Sequence, residues 1–270
     1  MRYFSRMILR AIVLIMVPLA ASCSSLRGPA APAERAASDA GPAAAEGWQL
    51  PEYEKLTFSV KWLAVMAGEI TVEIKGIEEV RGRKAYRIEA HARTKGFCST
   101  IYKVDSRYVS YLDVEKLHTL RHEVYRREGG YRKEAVTDFD QVEHTAHFKS
   151  LTDGSEKIFT ILPDTQDAIT ALYIARLNSL SERKPLQIKI CNNERNYVAV
   201  LNVVRRASLN VPGRGNKEVF LIRPIQKHGK KIREGRMTGY VSVDPGHEPY
   251  LFIIKAPVFT SVTARLVAKE

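Results

Sequence analysis

Recognisable catalytic and cofactor motifs are what this chain lacks. It has no Gly-x-Ser-x-Gly, which excludes the nucleophile elbow of an α/β-hydrolase, and no glycine-rich phosphate loop. Gly213-Arg214-Gly215 starts like a dinucleotide-binding turn, but with no third glycine and no following helix it reads as a hairpin loop. Cysteine is scarce, three in 270 residues and none at zinc spacing, and there is no His-Glu-x-x-His. Of the seven histidines only His118/His122 and His144/His147 are close in sequence. On strands, the first pair would stand ~13 Å apart and the second would face opposite ways, so neither makes a metal site. Glu78/Glu79 and Asp138/Asp140 read as solvated strand ends rather than an acid and base. No catalytic residue, metal or cofactor is expected.

Long apolar runs are also missing. Only Ala11 to Leu19 is strongly apolar, well short of the ~20 residues that span a bilayer. With Arg2, Arg6 and Arg10 before it and Ala20-Ala21-Ser22-Cys23 after it, residues 1–23 read as a lipoprotein signal peptide, and Cys23 as the lipidated N-terminus. Ser24 and Ser25 carry no negative charge, which favours the outer membrane, facing the periplasm, over retention at the inner one. Residues 24–47 are rich in Ala, Pro and Gly with no apolar period and read as a tether; residues 48–270 read as a single β-rich domain.

Acidic residues are outnumbered, 30 against 42 lysines and arginines, for a net charge of +12 that falls to +9 once Arg2, Arg6 and Arg10 are removed. In the cytosol this would suggest nucleic acid. Export excludes that partner and leaves anionic lipid headgroups, lipopolysaccharide phosphates or acidic glycans. In an oxidising compartment Cys98 and Cys191 can pair, but neither spacing nor motif joins them. Two separate buried thiols are the expectation, a disulfide the alternative.

What is present is strand periodicity. Phe58/Val60/Trp62 alternate with polar residues, as do Ile70/Val72/Ile74, Tyr86/Ile88/Ala90, Tyr250/Phe252/Ile254 and Val262/Ala264/Leu266. Turn residues such as Gly129-Gly130, Asn192-Asn193 and Pro245-Gly246 punctuate the runs. One segment differs: Pro163 to Leu177 has apolar residues at helical spacing on more than one side, which predicts an enclosed helix capped by Asp164 or Thr165. The fold class is therefore all-β, a strongly bent antiparallel sheet or incomplete barrel of about twelve to fourteen strands with one enclosed helix.

The runs Leu56 to Trp62, Ala67 to Ile70 and Thr100 to Ser106, the helix around Asp164 to Leu177, and the close from Val243-Asp244 to Lys255 resemble a family of exported bacterial proteins, domain of unknown function three-one-zero-eight. The resemblance spans nearly the whole folded part and implies an exported all-β domain, with no catalytic residues to carry over.

Two features bear on function. Basic residues flank three turns, around Arg81/Arg83/Lys84, around Arg126/Arg127/Arg132/Lys133, and from Lys227 to Arg236; were they to converge they would form one anionic-binding rim. Second, Tyr197 to Val204 and Leu251 to Ile254 are apolar on both faces, as expected of a double-layered core or of an apolar cavity between sheet and helix. The expectation is a non-enzymatic, membrane-anchored binding or carrier domain for a lipidic or glycan envelope component. Trp62, Leu172, Tyr173 and Phe252 would line the ligand, and Lys230, Lys231 and Arg233 would meet an anionic headgroup. The competing readings are a scaffold for an envelope protein partner, a hydrolase with a histidine meeting serine or carboxylate in a polar cleft, and a structural lipoprotein with no specific ligand.

Overall fold

The computed structural model describes residues 48–63, 65–229, 231–256 and 260–270, so the expected signal peptide, Cys23, the expected tether and Lys230 lie outside the described residues. Among the described residues fifteen strands form one antiparallel sheet. The first eight are β1 (Glu54–Trp62), β2 (Val65–Val80), β3 (Arg83–Thr94), β4 (Asp105–Asp113), β5 (Thr119–Glu128), β6 (Tyr131–Asp140), β7 (Thr145–Ser150) and β8 (Glu156–Thr160). After a helical segment come β9 (Leu186–Asn192), β10 (Arg195–Val211), β11 (Gly215–His228), β12 (Lys231–Glu234), β13 (Met237–Ser242), β14 (Pro249–Ala256) and β15 (Thr260–Lys269). The order across the sheet is 8-7-6-5-4-3-2-1-15-14-13-11-10-9, with β12 folded onto the end of β11. Two meanders thus run outward from the central β1–β15 pair. The short β12, four residues exposed throughout, is the kind of strand that alternation does not reveal, which helps carry the count past the expected fourteen.

Sidedness drives the curvature. In β1 the residues Leu56, Phe58 and Val60 are buried while Lys55, Thr57 and Ser59 are half-buried, the period of two expected of a sheet with one face on a core. Inward-facing residues of β1 to β4, β9 to β11, β14 and β15 meet in one continuous core. Gly68 lets β2 and β3 approach: a Cβ there would lie 2.2 Å from the Arg93 carbonyl oxygen, which gives the Ala67-Gly68 pair a steric meaning.

The sheet is an incomplete barrel with edges at β8 and β9. The segment from Ile161 to Ile169 straps the seam. Gln166 pairs with β9 through its own N–H to Lys189 O at 2.9 Å and through Cys191 N–H to its carbonyl at 2.8 Å. Gln141 donates to the carbonyls of Thr119 and Thr165, at 2.8 and 3.0 Å, tying the strap to β5. Side chains also cross the gap, Lys157 to Glu194 at 2.6 Å and Asn196 to Thr160 O at 2.7 Å.

The strap corrects the expected helix. Its first half is not helical: Asp164 has φ +54°, and Gln166 spends its backbone on β9. Asp167 Oδ1 instead accepts from the N–H groups of Ile169 and Thr170, at 2.7 and 3.2 Å, and starts helix α2 at Thr170–Leu177, with α1 the shorter helix Gly96–Ile101. The α1 helix was not expected, since six residues carry too little periodicity to be read, and the described residues therefore hold two helices rather than one. Helix α2 is the enclosed one. It buries Ala171, Tyr173, Ile174 and Arg176, and it packs on β4 and β9.

The meander decides which turns share an end. The β1–β2, β3–β4, β5–β6, β11–β12 and β14–β15 connections lie at one end of the barrel, hereafter the upper end; β2–β3, β4–β5, β10–β11 and β13–β14 lie at the other. The basic cluster at Arg81, Arg83 and Lys84 is thus at the opposite end from the other two. The three do not form one rim, because an antiparallel meander alternates its turns.

Candidate functional site: an apolar cavity inside the barrel

Between α2 and the inner face of the sheet lies a cavity of about 170 Å³. Phe58 of β1, Ile70 of β2, Leu201 of β10, Ile222 of β11 and Phe252 of β14 face Leu172 of α2 across it. The strand period that aims alternate residues inward supplies the wall. Phe58 and Phe252 touch with ring centroids 5.9 Å apart, and Gly239 leaves room for the Phe252 ring, which lies 3.4 Å from where a Cβ would stand.

Among the described residues only two ionisable side chains reach this lining, Arg176 and His247, and both have their polar atoms occupied elsewhere. Arg176 donates to Glu54 through Nη1 and Nη2, at 2.5 and 2.9 Å, and to Gly246 O through Nε at 2.8 Å. It also lies over the rings of Trp48 and Tyr173, whose centroids are 4.7 and 5.2 Å from its guanidinium carbon. Burial pushes the Glu54 carboxyl up, but the Arg176 bonds and charge outweigh it and hold the pKa below its ordinary value. His247 Nδ1 donates to Ser242 O at 3.0 Å and Nε2 accepts from Leu180 N–H at 3.3 Å. Burial lowers its pKa, so the ring is held neutral in one tautomer. What remains facing the cavity is mostly hydrocarbon.

The expected site residues fall into different places. Leu172 and Phe252 line the cavity. Tyr173 is fully buried on another side of α2, against Arg176. Trp62 is half-buried at the upper end of β1 and is not part of the lining. Lys231 and Arg233 are exposed on β12, away from the cavity wall. Cys98 and Cys191 are free, buried thiols in different clusters, not a disulfide, and burial pushes the Cys191 thiol up to about 12. The small residues of the wall, Ala90, Ala199 and Ala264, were not legible as site residues. An alanine on a strand looks like filler until the curvature of the sheet shows that nothing fills the space in front of it.

A histidine does meet a serine and a carboxylate. Ser110 Oγ lies 2.9 Å from His122 Nδ1 and donates to Asp167 Oδ1 at 3.0 Å. Two of the three are committed within the fold. Ser110 is fully buried, and Asp167 is committed to the start of α2 and to the hydroxyls of Thr119 and Thr170, each 3.2 Å from its Oδ2. His122 reaches both groups through the same nitrogen, so it bridges nothing. Among the described residues no group of three or more His, Cys, Asp or Glu side chains is placed to hold a metal ion.

Comparison with known proteins agrees with the architecture. A β-barrel-like protein from Brucella abortus, of the domain of unknown function DUF1849, is similar in fold with a TM-score of 0.54 at 8% identity, covering 81% of this chain and 97% of that one. A structure named as an exported protein with a YmcC-like fold, from Bacteroides fragilis, has a TM-score of 0.34 at 6% identity, covering 82% and 96% of the two chains. A structure named as a lipoprotein from Parabacteroides distasonis also scores 0.34, at 8% identity, with the same coverage. No curated protein matches the chain. Residues 57–267 match the family described as protein of unknown function (DUF3108), nearly the whole described sheet from β1 to β15. The chain belongs to the DUF3108 family.

Proposed function

We propose that this protein is a non-enzymatic binding or carrier domain of the cell envelope whose barrel takes the end of an acyl chain from a lipidic component. The observation that carries the reading is the open volume of about 170 Å³ inside the barrel, bounded by Phe58, Leu172, Leu201, Ile222 and Phe252, with its two ionisable neighbours already satisfied. A close-packed core has no such void, because unfilled apolar space costs stability. The chemistry of the wall favours a hydrocarbon over a glycan, which would need hydrogen-bond partners that the lining does not offer. A comparable engineered apolar void of about 150 Å³ stays dry and admits a six-carbon ring, so this one has room for a chain tip, with the rest of the lipid outside. A scaffold role fits less well: the exposed edge strand β8 carries Glu156 and Lys157, charges that discourage strand addition.

With the lipoprotein signal ending at Cys23, the domain would hang from the outer membrane by its 24–47 tether, facing the periplasm. Radiolabelled palmitate should label the chain and fail to label Cys23→Ser.

The binding reading is tested by purifying residues 24–270 gently from the periplasm and recording the native mass. A stoichiometric adduct of fatty-acyl mass supports it. Ala264→Met, which places a flexible side chain in the void, should abolish that adduct and saturable fatty-acid binding while leaving the fold intact. A clean apo mass together with no saturable binding by the wild type would refute it.

A further inference from the structure

Scattered apolar side chains on a protein surface need no explanation, but a contiguous group does. Of the fourteen large apolar side chains that are well exposed among the described residues, Leu63, Val65, Met66, Phe97 and Ile101 sit together at the upper end of the barrel. The backbone brings them there. Lys95 N–H donates to Ala67 O at 3.1 Å and Gly68 pairs with Thr94, so α1 lies against the first residues of β2. Helix α1 buries only Cys98 and presents Phe97, 72% exposed, and Ile101 to solvent. At the tip of the β1–β2 turn Leu63 is 57% exposed and has φ +47°, a conformation that a bulky residue adopts at a cost. Glycine or asparagine would serve that turn better, and a polar residue would suit its exposure.

The net charge around this group is positive. Segments 61–69, 91–105, 227–229, 231–236 and 253–256, all at the upper end, carry nine lysines and arginines against three carboxylates among the described residues. Two of those carboxylates are engaged, Glu69 by Lys95 at 2.7 Å and Arg93 at 3.5 Å, and Asp105 by His91 at 2.6 Å. Lys61 and Lys103 are exposed and make no ion pair among the described residues. Apolar side chains enclosed by lysine are the composition that enters the boundary between headgroups and acyl chains.

We infer that the upper end of the barrel is a docking surface for an anionic lipid bilayer. Leu63, Val65, Met66, Phe97 and Ile101 enter the interface, and Lys61, Lys103 and the basic β11–β12 segment lie against the lipid phosphates. The inference does not depend on the cavity reading, because the patch and its charge are features of the outside of the barrel.

The test is co-sedimentation of residues 24–270, which keep the whole sheet, with vesicles of phosphatidylethanolamine and phosphatidylglycerol or of phosphatidylcholine alone. The wild type should bind the anionic vesicles more tightly, and salt should weaken the binding. Leu63→Ser/Phe97→Ser/Ile101→Ser should lose at least about tenfold in affinity, and Lys61→Gln/Lys103→Gln about fivefold for each charge removed. Both variants should keep the wild-type melting temperature and fatty-acid binding, since none of these side chains lines the cavity. Equal binding by the triple variant, or no preference for anionic vesicles, would overturn the inference. So would size exclusion showing a wild-type dimer that the triple variant splits, because the patch would then belong to a second copy.

Discussion

Replacing Arg176 with methionine should cost about 3–5 kcal/mol, the penalty for leaving one member of a buried ion pair without its partner. Arg176 and Glu54 are each 3% exposed, and the two are joined by hydrogen bonds of 2.5 and 2.9 Å. Lys269, 3.4 Å from Glu54 and 35% exposed, offsets part of the loss but cannot replace a bidentate guanidinium. For a domain of this size, the loss corresponds to a fall in melting temperature of about 6–20 °C, alongside a lower urea midpoint. The deficit should depend on pH. In the wild type the lowered Glu54 pKa contributes stability that is present above the ordinary carboxylate value of 4.5 and is lost as pH falls below it. In Arg176→Met burial dominates instead, the carboxyl pKa rises, and protonation removes the buried charge, so the gap to wild type should narrow as pH drops. Glu54→Leu/Arg176→Met should recover most of the loss, since an apolar pair of similar volume needs no compensation. A single-variant loss below about 1 kcal/mol, or a double variant no better than the single, would refute the idea that this pair latches α2 onto β1.

Burial lowers the pKa values of His118, His228 and His247. An unfolded histidine takes up its proton near pH 6.5 while these resist it, so the stability they contribute is complete above pH 6.5 and should fall progressively below it; chemical denaturation from pH 7.5 to 5 checks the sign. The thiols of Cys98 and Cys191 should resist Ellman's reagent in native protein and react fully in denaturant, because both are buried and the Cys191 pKa is raised to about 12; a rapid native reaction at Cys191 would show that the β9 edge opens. Gly68→Val should cost at least about 2 kcal/mol, since no rotamer relieves a Cβ set 2.2 Å from the Arg93 carbonyl, and a wild-type melting temperature would show that β2 and β3 can part there.

Much of this molecule follows from local pattern. Alternation in Phe58/Val60/Trp62 and Ile70/Val72/Ile74 fixes strands, because a period of two puts one set of side chains on a core whatever lies opposite. Turn residues such as Gly129-Gly130 close tight hairpins between sequence neighbours, and that makes the sheet antiparallel. The resemblance of Leu56 to Trp62 and Ala67 to Ile70 to the DUF3108 family rests on such packing residues, which is why it was legible without any catalytic motif.

The helix boundary was not local. Gln166 has ordinary helical propensity, and only the proximity of β9, twenty-four residues further on at Ile190, diverts its backbone into the seam. The cavity was not local either. Leu172 and Phe252 are apolar in any fold, but whether Ala90, Ala199 and Ala264 leave a void depends on how far the sheet bends and how closely α2 approaches. The same holds for the upper surface: Phe97 and Ile101 look like core residues in the sequence, and α1 turns them outward beside Leu63. Strands, turns and charge can be read along the chain, because these depend on neighbours a few residues apart. What the barrel encloses and what its upper end exposes cannot, because those depend on distances between residues that meet only when the sheet curls.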